Sequence, residues 1–327
     1  MASFRQRGGK WQARVIRDGY PDQAKTFETK ADAEKWARSV ESEIDKGQFV
    51  RVNEAQRTTL GDVIARYLVE VTPSMKGATE DTIRLKAIMR KPIARWSMAN
   101  LSATRVAAYR DERLKDVSAG TVIRELAYLS AIINHARREW GINVPNPVQM
   151  VRKPQSPQAR SRVLTEEEVL KLLQALEPTG RRSHWTKPAV QFALATAMRR
   201  GELLSLRWEH VDLNGRTAFL PDTKNGDSRT VPLSSAAVQV LAGLPRHISG
   251  VVFPVKFFTL DAAFKRGIRR AGLDGLRFHD LRRTAITRMA EKLPNVIELA
   301  AVSGHKSLMV LKRYYRPTAA ELAQKLG

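Results

Sequence analysis

Between Leu276 and Pro317 the chain sets His279, Arg282 and His305 ahead of a tyrosine pair, Tyr314 and Tyr315, in a short run of helical pattern. Two imidazoles, a guanidinium and a phenol suit one kind of reaction, attack by the phenol on an anionic phosphate. A phenol with a pKa near ~10 is a poor nucleophile at neutral pH and needs help in losing its proton. A phosphodiester under attack gains negative charge, and arginine and histidine can neutralise it without a metal.

The elements that must gather these groups are mostly helices. Three polar residues followed three positions later by an acid mark helix starts: Thr29 with Asp32, Thr59 with Asp62, and Thr165 with Glu168. The first opens a helix with Ala33, Trp36, Ala37, Val40 and Ile44 on one face, behind two or three strands that include Trp11–Arg17 and Ala24–Glu28, turned at Asp18-Gly19. Residues 51–58 read as a polar linker. Four helices are then expected, beginning at Thr59 and covering about 79–90, 103–114 and 119–140; the last carries Val122, Leu126, Leu129 and Ile133 inward and is stopped by the proline-rich stretch at 143–147. A second linker, 151–163, holds two prolines, two serines and four basic residues. Beyond it lie a helix bearing Val169, Leu172, Leu173 and Leu176 and a second helix over 187–198. Strands follow at 216–220 and 229–233 around Lys224-Asn225-Gly226-Asp227, with a third at Val251–Phe253. The pattern is helical from there to the end. The expected fold class is mainly α with small β elements (α+β): an N-terminal β-β-α module over residues 1–50, a helical bundle over 59–150 and a mostly helical domain with a small antiparallel sheet over 164–327.

Composition narrows the partner. Among 327 residues, 56 lysines and arginines face 33 acids, a net charge of +23. Such a surplus attracts polyanions, nucleic acid before an anionic membrane or the ribosome. Without cysteine there is no disulfide, thiolate catalysis or zinc finger. No apolar run approaches the ~20 residues that span a bilayer, and MASFRQRGGKW lacks the apolar core of a signal peptide, so a cytoplasmic, nucleoid-associated protein is expected. Arg5, Arg7, Lys10, Arg14 and Arg17 could place positive charge on the N-terminal module. Lys86, Arg90, Lys91 and Arg95 could follow a phosphate backbone from the bundle, although a solvated helix face explains them equally well.

Four motifs in order carry a family likeness: ATAMRRGELLSLRW, TKNGDSRTVPL, HDLRRT and SGHKSLMVLKRYYRP. With them the chain resembles the tyrosine recombinases, and as a whole a phage-type or genomic-island integrase. The resemblance implies a catalytic set of Arg199, Lys224, His279, Arg282, His305 and, as nucleophile, Tyr314, nine residues beyond His305. Two departures stand out. The family often has Thr-Gly before the first arginine, where this chain has Thr196 followed by Ala197 and Met198; and Tyr315 adjoins the nucleophile, though the Arg-Tyr pairing and the spacing from His305 favour Tyr314.

The reaction implied is conservative strand exchange through a 3′-phosphotyrosyl link, with no cofactor, since one phosphodiester is replaced by an ester of similar energy. Arg199 and Arg282 would clamp the non-bridging oxygens. Lys224 would protonate the leaving 5′-oxygen, His279 would take the tyrosine proton or bind a phosphate oxygen, and His305 would donate a further hydrogen bond. Arg200 and Arg283 read as backbone contacts or surface charge, and Glu202 and Asp280 as partners that orient arginines. The family further implies an arm-type DNA-binding module, a core-binding bundle, double-stranded attachment-site DNA as partner, a homo-tetramer on DNA, and an excisionase or DNA-bending protein as accessory partners. The amphipathic tail 318–327 would dock on a neighbouring protomer. The competing readings are a type IB topoisomerase-like enzyme and a DNA-binding regulator that keeps the fold.

Overall fold

The computed structural model describes residues 2–20, 22–45, 52–158, 160–180, 183–222, 228–315 and 319–327. The chain divides into two units, residues 1–159 and 160–327.

The first unit opens with an antiparallel sheet, β1 (Ala2–Arg7), β2 (Lys10–Val15) and β3 (Gln23–Phe27), in that order. Arg7 pairs with Lys10, so Gly8-Gly9 is a two-residue hairpin loop, and both glycines have positive φ (57° and 77°). That geometry matches the twist of the strands and strongly favours glycine. Helix α1 (Lys30–Asp45) starts where the Thr29 hydroxyl accepts from the Asp32 amide, and it buries Ala33, Ala37, Val40 and Ile44 against Ala13 and Val15. The segment 52–57, expected as linker, is instead helix α2 (Val52–Arg57), because Ala55 is needed in the core of the bundle that follows.

That bundle is α3 (Leu60–Glu70), α4 (Ala78–Met89), α5 (Ala103–Asp116) and α6 (Ala119–Glu139). The Thr59–Asp62 capping box is formed in full, a device that stabilises a helix end by about 1 kcal/mol. Leu126, Leu129, Ile132 and Ile133 on α6 have no exposed surface, and burying such a side chain contributes about 1.5–3 kcal/mol each. The Asn146 side-chain amide bonds back to Ser130 and Asn134 of α6 and fixes the proline-rich turn beneath it. The described residues of 151–163 form neither helix nor strand.

In the second unit, α7 (Glu166–Ala175) has its Thr165–Glu168 capping box, and α8 (Thr186–Thr196) leads at once into α9 (Arg200–Ser205). Strands β4 (Val211–Asp212), β5 (Thr217–Leu220) and β6 (Arg229–Pro232) form an antiparallel sheet in sequence order. The expected third strand at Val251–Phe253 is not there: Val251 makes a single bridge to Arg207, while Val252 and Phe253 are both buried in the core, which an alternating strand would not permit. The third strand is β4, two residues long. Helices α10 (Ser235–Ala242), α11 (Phe257–Ala271), α12 (Phe278–Lys292), α13 (Val296–Ser303), α14 (Leu308–Leu311) and α15 (Ala319–Leu326) complete the unit. Its main core centres on Phe192, Phe253 and Phe264; a smaller cluster of Ala197, Ala285, Ile286, Leu299 and Leu311 lies where α8, α12, α13 and α14 meet.

Ala197 ends α8 in the left-handed conformation, φ 54°, fully buried. An L-residue there costs about 1–2 kcal/mol, which the buried methyl, worth about 0.8 kcal/mol, largely offsets. Ala197→Gly should therefore leave unfolding stability within about 1 kcal/mol of native, whereas Ala197→Val, branched and overpacked, should lose more than about 2 kcal/mol in denaturant titration.

Candidate active site

The left-handed turn at Ala197 does more than end a helix. It exposes the Ala197 carbonyl to Arg282, whose Nη1 donates to it at 2.5 Å, and it puts Arg199 at the N-cap of α9, just before the first helical residue. Arg282 lies one turn beyond His279 on α12, is 4% exposed, and sends its Nη2 to the Ser303 carbonyl at 2.6 Å. Ser303 is the last residue of α13, and Gly304 caps that helix with φ 67°.

The end of α13 is where the arginines meet. Arg229 Nη1 donates to Val302 O at 2.8 Å, Arg282 Nη2 to Ser303 O, and Arg199 Nη2 to Gly304 O at 3.3 Å. The last carbonyls of a helix have no intrahelical donors and carry its negative partial charge, so cations settle there. One buried carboxylate joins them. Glu202 Oε1 accepts from Arg199 Nη1 at 2.6 Å, and Oε2 from Arg229 Nη2 at 2.9 Å and from the Arg199 amide at 3.1 Å. Burial alone would raise the Glu202 pKa, but hydrogen bonds from Arg199 and the nearby Arg229 outweigh it and hold the carboxyl below its usual range. Three guanidiniums against one carboxylate leave a net positive pocket suited to an anion. Burial and Arg199 push the Arg282 pKa down to about 10, so it remains charged at neutral pH.

His305 follows the same turn. Burial first, then Arg282, Arg199 and Arg229, push its pKa down to about 4, and it is neutral at pH 7. Its Nδ1 lies 2.8 Å from the Ser303 hydroxyl, whose only proton goes to Leu299 O at 2.6 Å. Ser303 can therefore only accept, Nδ1 carries the ring proton, and Nε2 holds a lone pair. Neutral His305 is thus an acceptor at Nε2 and becomes a donor there only on protonation. The Tyr314 ring centroid is 6.3 Å from that of His305, with the Arg283 guanidinium 5.3 Å from the phenol ring. Tyr314 packs on the small cluster around Ala197, while Tyr315 beside it is half-buried. His279 reaches solvent at the start of α12, yet desolvation on its inner side and the Arg282, Arg283 and Arg199 charges lower its pKa.

Of the expected catalytic set, Arg199, Arg282, His305 and Tyr314 come together, with His279 at the rim; Lys224 lies outside the described residues. Glu202 does orient an arginine as expected. Asp280, buried as expected, likewise partners an arginine, Arg160, and also accepts from the Arg277 amide, tying the start of α12 to the chain entering the unit. Three of the basic residues expected at DNA have side-chain partners within the protein: Arg14 pairs with Asp22 and Arg17 with Asp45, each at 2.6 Å, and Arg200 stacks 3.6 Å from the Phe257 ring while bonded to Asp261. Lys86 and Arg90 are exposed on α4, with Arg90 Nε donating to the Lys86 carbonyl. Two participants went unnoticed in sequence, Ser303 and Arg229. The signal for Arg229 is its place two residues before Val231, on the inward face of β6.

Known proteins resemble this chain. Residues 162–321 match the phage integrase family and 56–154 the phage integrase N-terminal domain. A putative integrase/recombinase of Haemophilus influenzae is 38% identical over 98% of this chain and 89% of its own length. The chain belongs to the tyrosine recombinases of the phage integrase family. Another member, the shufflon-specific DNA recombinase of Escherichia coli, is 39% identical over 83% of this chain and 72% of its own. The fold is that of lambda integrase, solved as a dimer bound to a COC′ core site: TM-score 0.67, 23% identity, 96% of this chain and 94% of that one covered. No helix among the described residues of this recombinase is long and apolar enough to cross a membrane.

The depressed His305 pKa sets a direction for stability. Between its ordinary 6.5 and about 4 the unfolded chain binds a proton that the folded chain refuses. The stability His305 contributes is therefore present above pH 6.5 and lost as pH falls toward 4. Denaturation midpoints measured across that window should fall with pH in the native protein, and the slope should lessen in His305→Asn.

Proposed function

We propose that this chain is a site-specific DNA recombinase, the integrase of a prophage or genomic island, which cleaves and rejoins DNA through Tyr314. The observation that carries the reading is the net positive cluster of Arg199, Arg229 and Arg282 beside the Tyr314 ring. A phosphate entering it would offer its own oxygens in place of helix carbonyls as partners of Arg199 and Arg282, without requiring those arginines to move far. Arg199 and Arg282 would hold the non-bridging oxygens of the pentacoordinate phosphorane. His279, already favouring its neutral form, would take the Tyr314 proton. The arriving phosphate would raise the His305 pKa and protonate Nε2, making it the donor that its free state is not. Lys224 would deliver a proton to the leaving 5′-oxygen. The phosphotyrosyl link is then attacked by the 5′-hydroxyl of the partner strand, which restores a phosphodiester and frees Tyr314.

The remaining assignments extend this reading. Residues 1–50 serve as an arm-type DNA-binding module, 59–150 as the core-binding domain and 164–327 as the catalytic domain. The separate hydrophobic clusters of the sheet module and the helical bundle support the first division. Double-stranded attachment sites are the substrate, and a homo-tetramer the working assembly; a lambda integrase tetramer bound to a Holliday junction, 22% identical with a TM-score of 0.64, supports that assembly. An excisionase or a DNA-bending protein would set direction, and the protein would act at the nucleoid.

A pool of nicked duplexes of random sequence tests the chemistry, because a nick beside the scissile phosphate lets the leaving strand diffuse away and traps the adduct. The native protein and Tyr315→Phe should form a covalent adduct in EDTA, and Tyr314→Phe should form none while still binding the selected duplexes. An adduct that persists in Tyr314→Phe would refute the assignment. Binding by all three should weaken steeply with salt, as expected for many phosphate contacts.

A further inference from the structure

We propose that Arg229 is a positioning residue for strand cleavage: it sets Arg199 through Glu202 and anchors the carbonyl end of α13 on which Arg282 and His305 depend. The inference rests on the recombinase reading above and adds to it a residue outside the expected catalytic set.

The contacts of Arg229 run to the frame of the site rather than to the place of the phosphate. Both terminal nitrogens of Arg229 are engaged, one on Val302 O and one on Glu202 Oε2, and its Nε is buried with no hydrogen-bond partner. Each terminal nitrogen is thus committed to the protein frame, and the Nε–H left without a partner is closed off from solvent. Glu202 is 5% exposed and shares its two oxygens between Arg229 and Arg199, so the Arg199 fork is aimed by a carboxylate that Arg229 holds from the other side. On the helix side, Val302 adjoins Ser303, whose carbonyl takes Arg282 and whose hydroxyl takes His305. One side chain thus ties strand β6 to both halves of the phosphate clamp.

Gly304 shows how closely this contact is built. A Cβ at that position would lie 2.6 Å from Arg229 Nε and 2.8 Å from its Cζ, and the backbone there has φ 67°. The guanidinium lies against bare backbone, so glycine is required for space as well as for conformation.

Since the attachment site is unidentified, the probe is the nicked duplex that native protein selects from a random pool. Single-turnover adduct formation, duplex affinity and thermal midpoint are then measured for Arg229→Met, Glu202→Gln, their double variant and Arg229→Lys. A small misplacement of a clamp costs about 10²-fold in rate. Arg229→Met should lose about that much with affinity kept within about threefold, and adding it to Glu202→Gln should cost clearly less than it costs alone, because the share that reaches Arg199 through Glu202 is already lost. Arg229→Lys, which keeps the charge but cannot bridge Glu202 and Val302 together, should remain at least about tenfold slow. The inference is overturned if Arg229→Met cleaves within about threefold of native, or if its loss multiplies with that of Glu202→Gln. Should Arg229→Met fail to fold, a native rate in Arg229→Lys overturns it equally. Absence of any adduct with native protein would remove the recombinase reading itself, an outcome distinct from a native adduct that the Arg229 variants leave unchanged.

Discussion

The structure depends on a helix end that has no hydrogen-bond donors of its own. The last turn of α13 presents three successive carbonyls, and three arginines from β6, α12 and the start of α9 supply what the helix cannot. Like charges this close repel, and taking them from water costs several kcal/mol per ion. The helix dipole, the carbonyls and the single carboxylate of Glu202 offset much of that cost but leave an excess of positive charge. The pocket is thereby short of an anion before DNA arrives. A phosphate under attack, whose charge is growing, is the kind of anion that this shortage favours most.

The same economy explains the histidines. His305 sits where three guanidiniums forbid a fourth cation, so it is neutral until a phosphate changes the balance. Ser303 then decides which nitrogen carries the proton, through a hydrogen bond to α13 that leaves its hydroxyl able only to accept. Protonation of Nε2 becomes a consequence of substrate binding. Burying charged groups adds little to stability; what the cluster provides is position, with arginines already aimed and needing little reorganisation.

Much of this was legible in the chain. The capping pairs Thr59–Asp62 and Thr165–Glu168 mark helix starts because each satisfies two backbone donors locally, whatever the rest of the fold does. The long amphipathic helices show their faces for the same reason. The residues of the proposed catalytic cluster were recognisable by their motifs, though not their mutual geometry. What escaped lacked a local signal. Strand β4 is two residues long, and α2 is a polar six-residue helix that places Ala55 in the bundle core. Val251–Phe253 has strand-forming residues but supplies core packing instead. Arg229 looked like one more basic residue of a basic protein, and only the folded chain brings Glu202 and Val302 to it across 27 and 73 positions. The pairing of Arg14, Arg17 and Arg200 with carboxylates was equally invisible in the chain, and it leaves the first two side chains about half exposed.

The most direct test is the crystal structure of the protein on its selected nicked duplex, with vanadate in place of the scissile phosphate. The account predicts Tyr314 Oη at one apex of the vanadate, and equatorial oxygens within about 3.2 Å of Arg199 and Arg282. Arg229 should remain on Glu202 and Val302. Vanadate bound to Tyr315, or held without either Arg199 or Arg282, would contradict it.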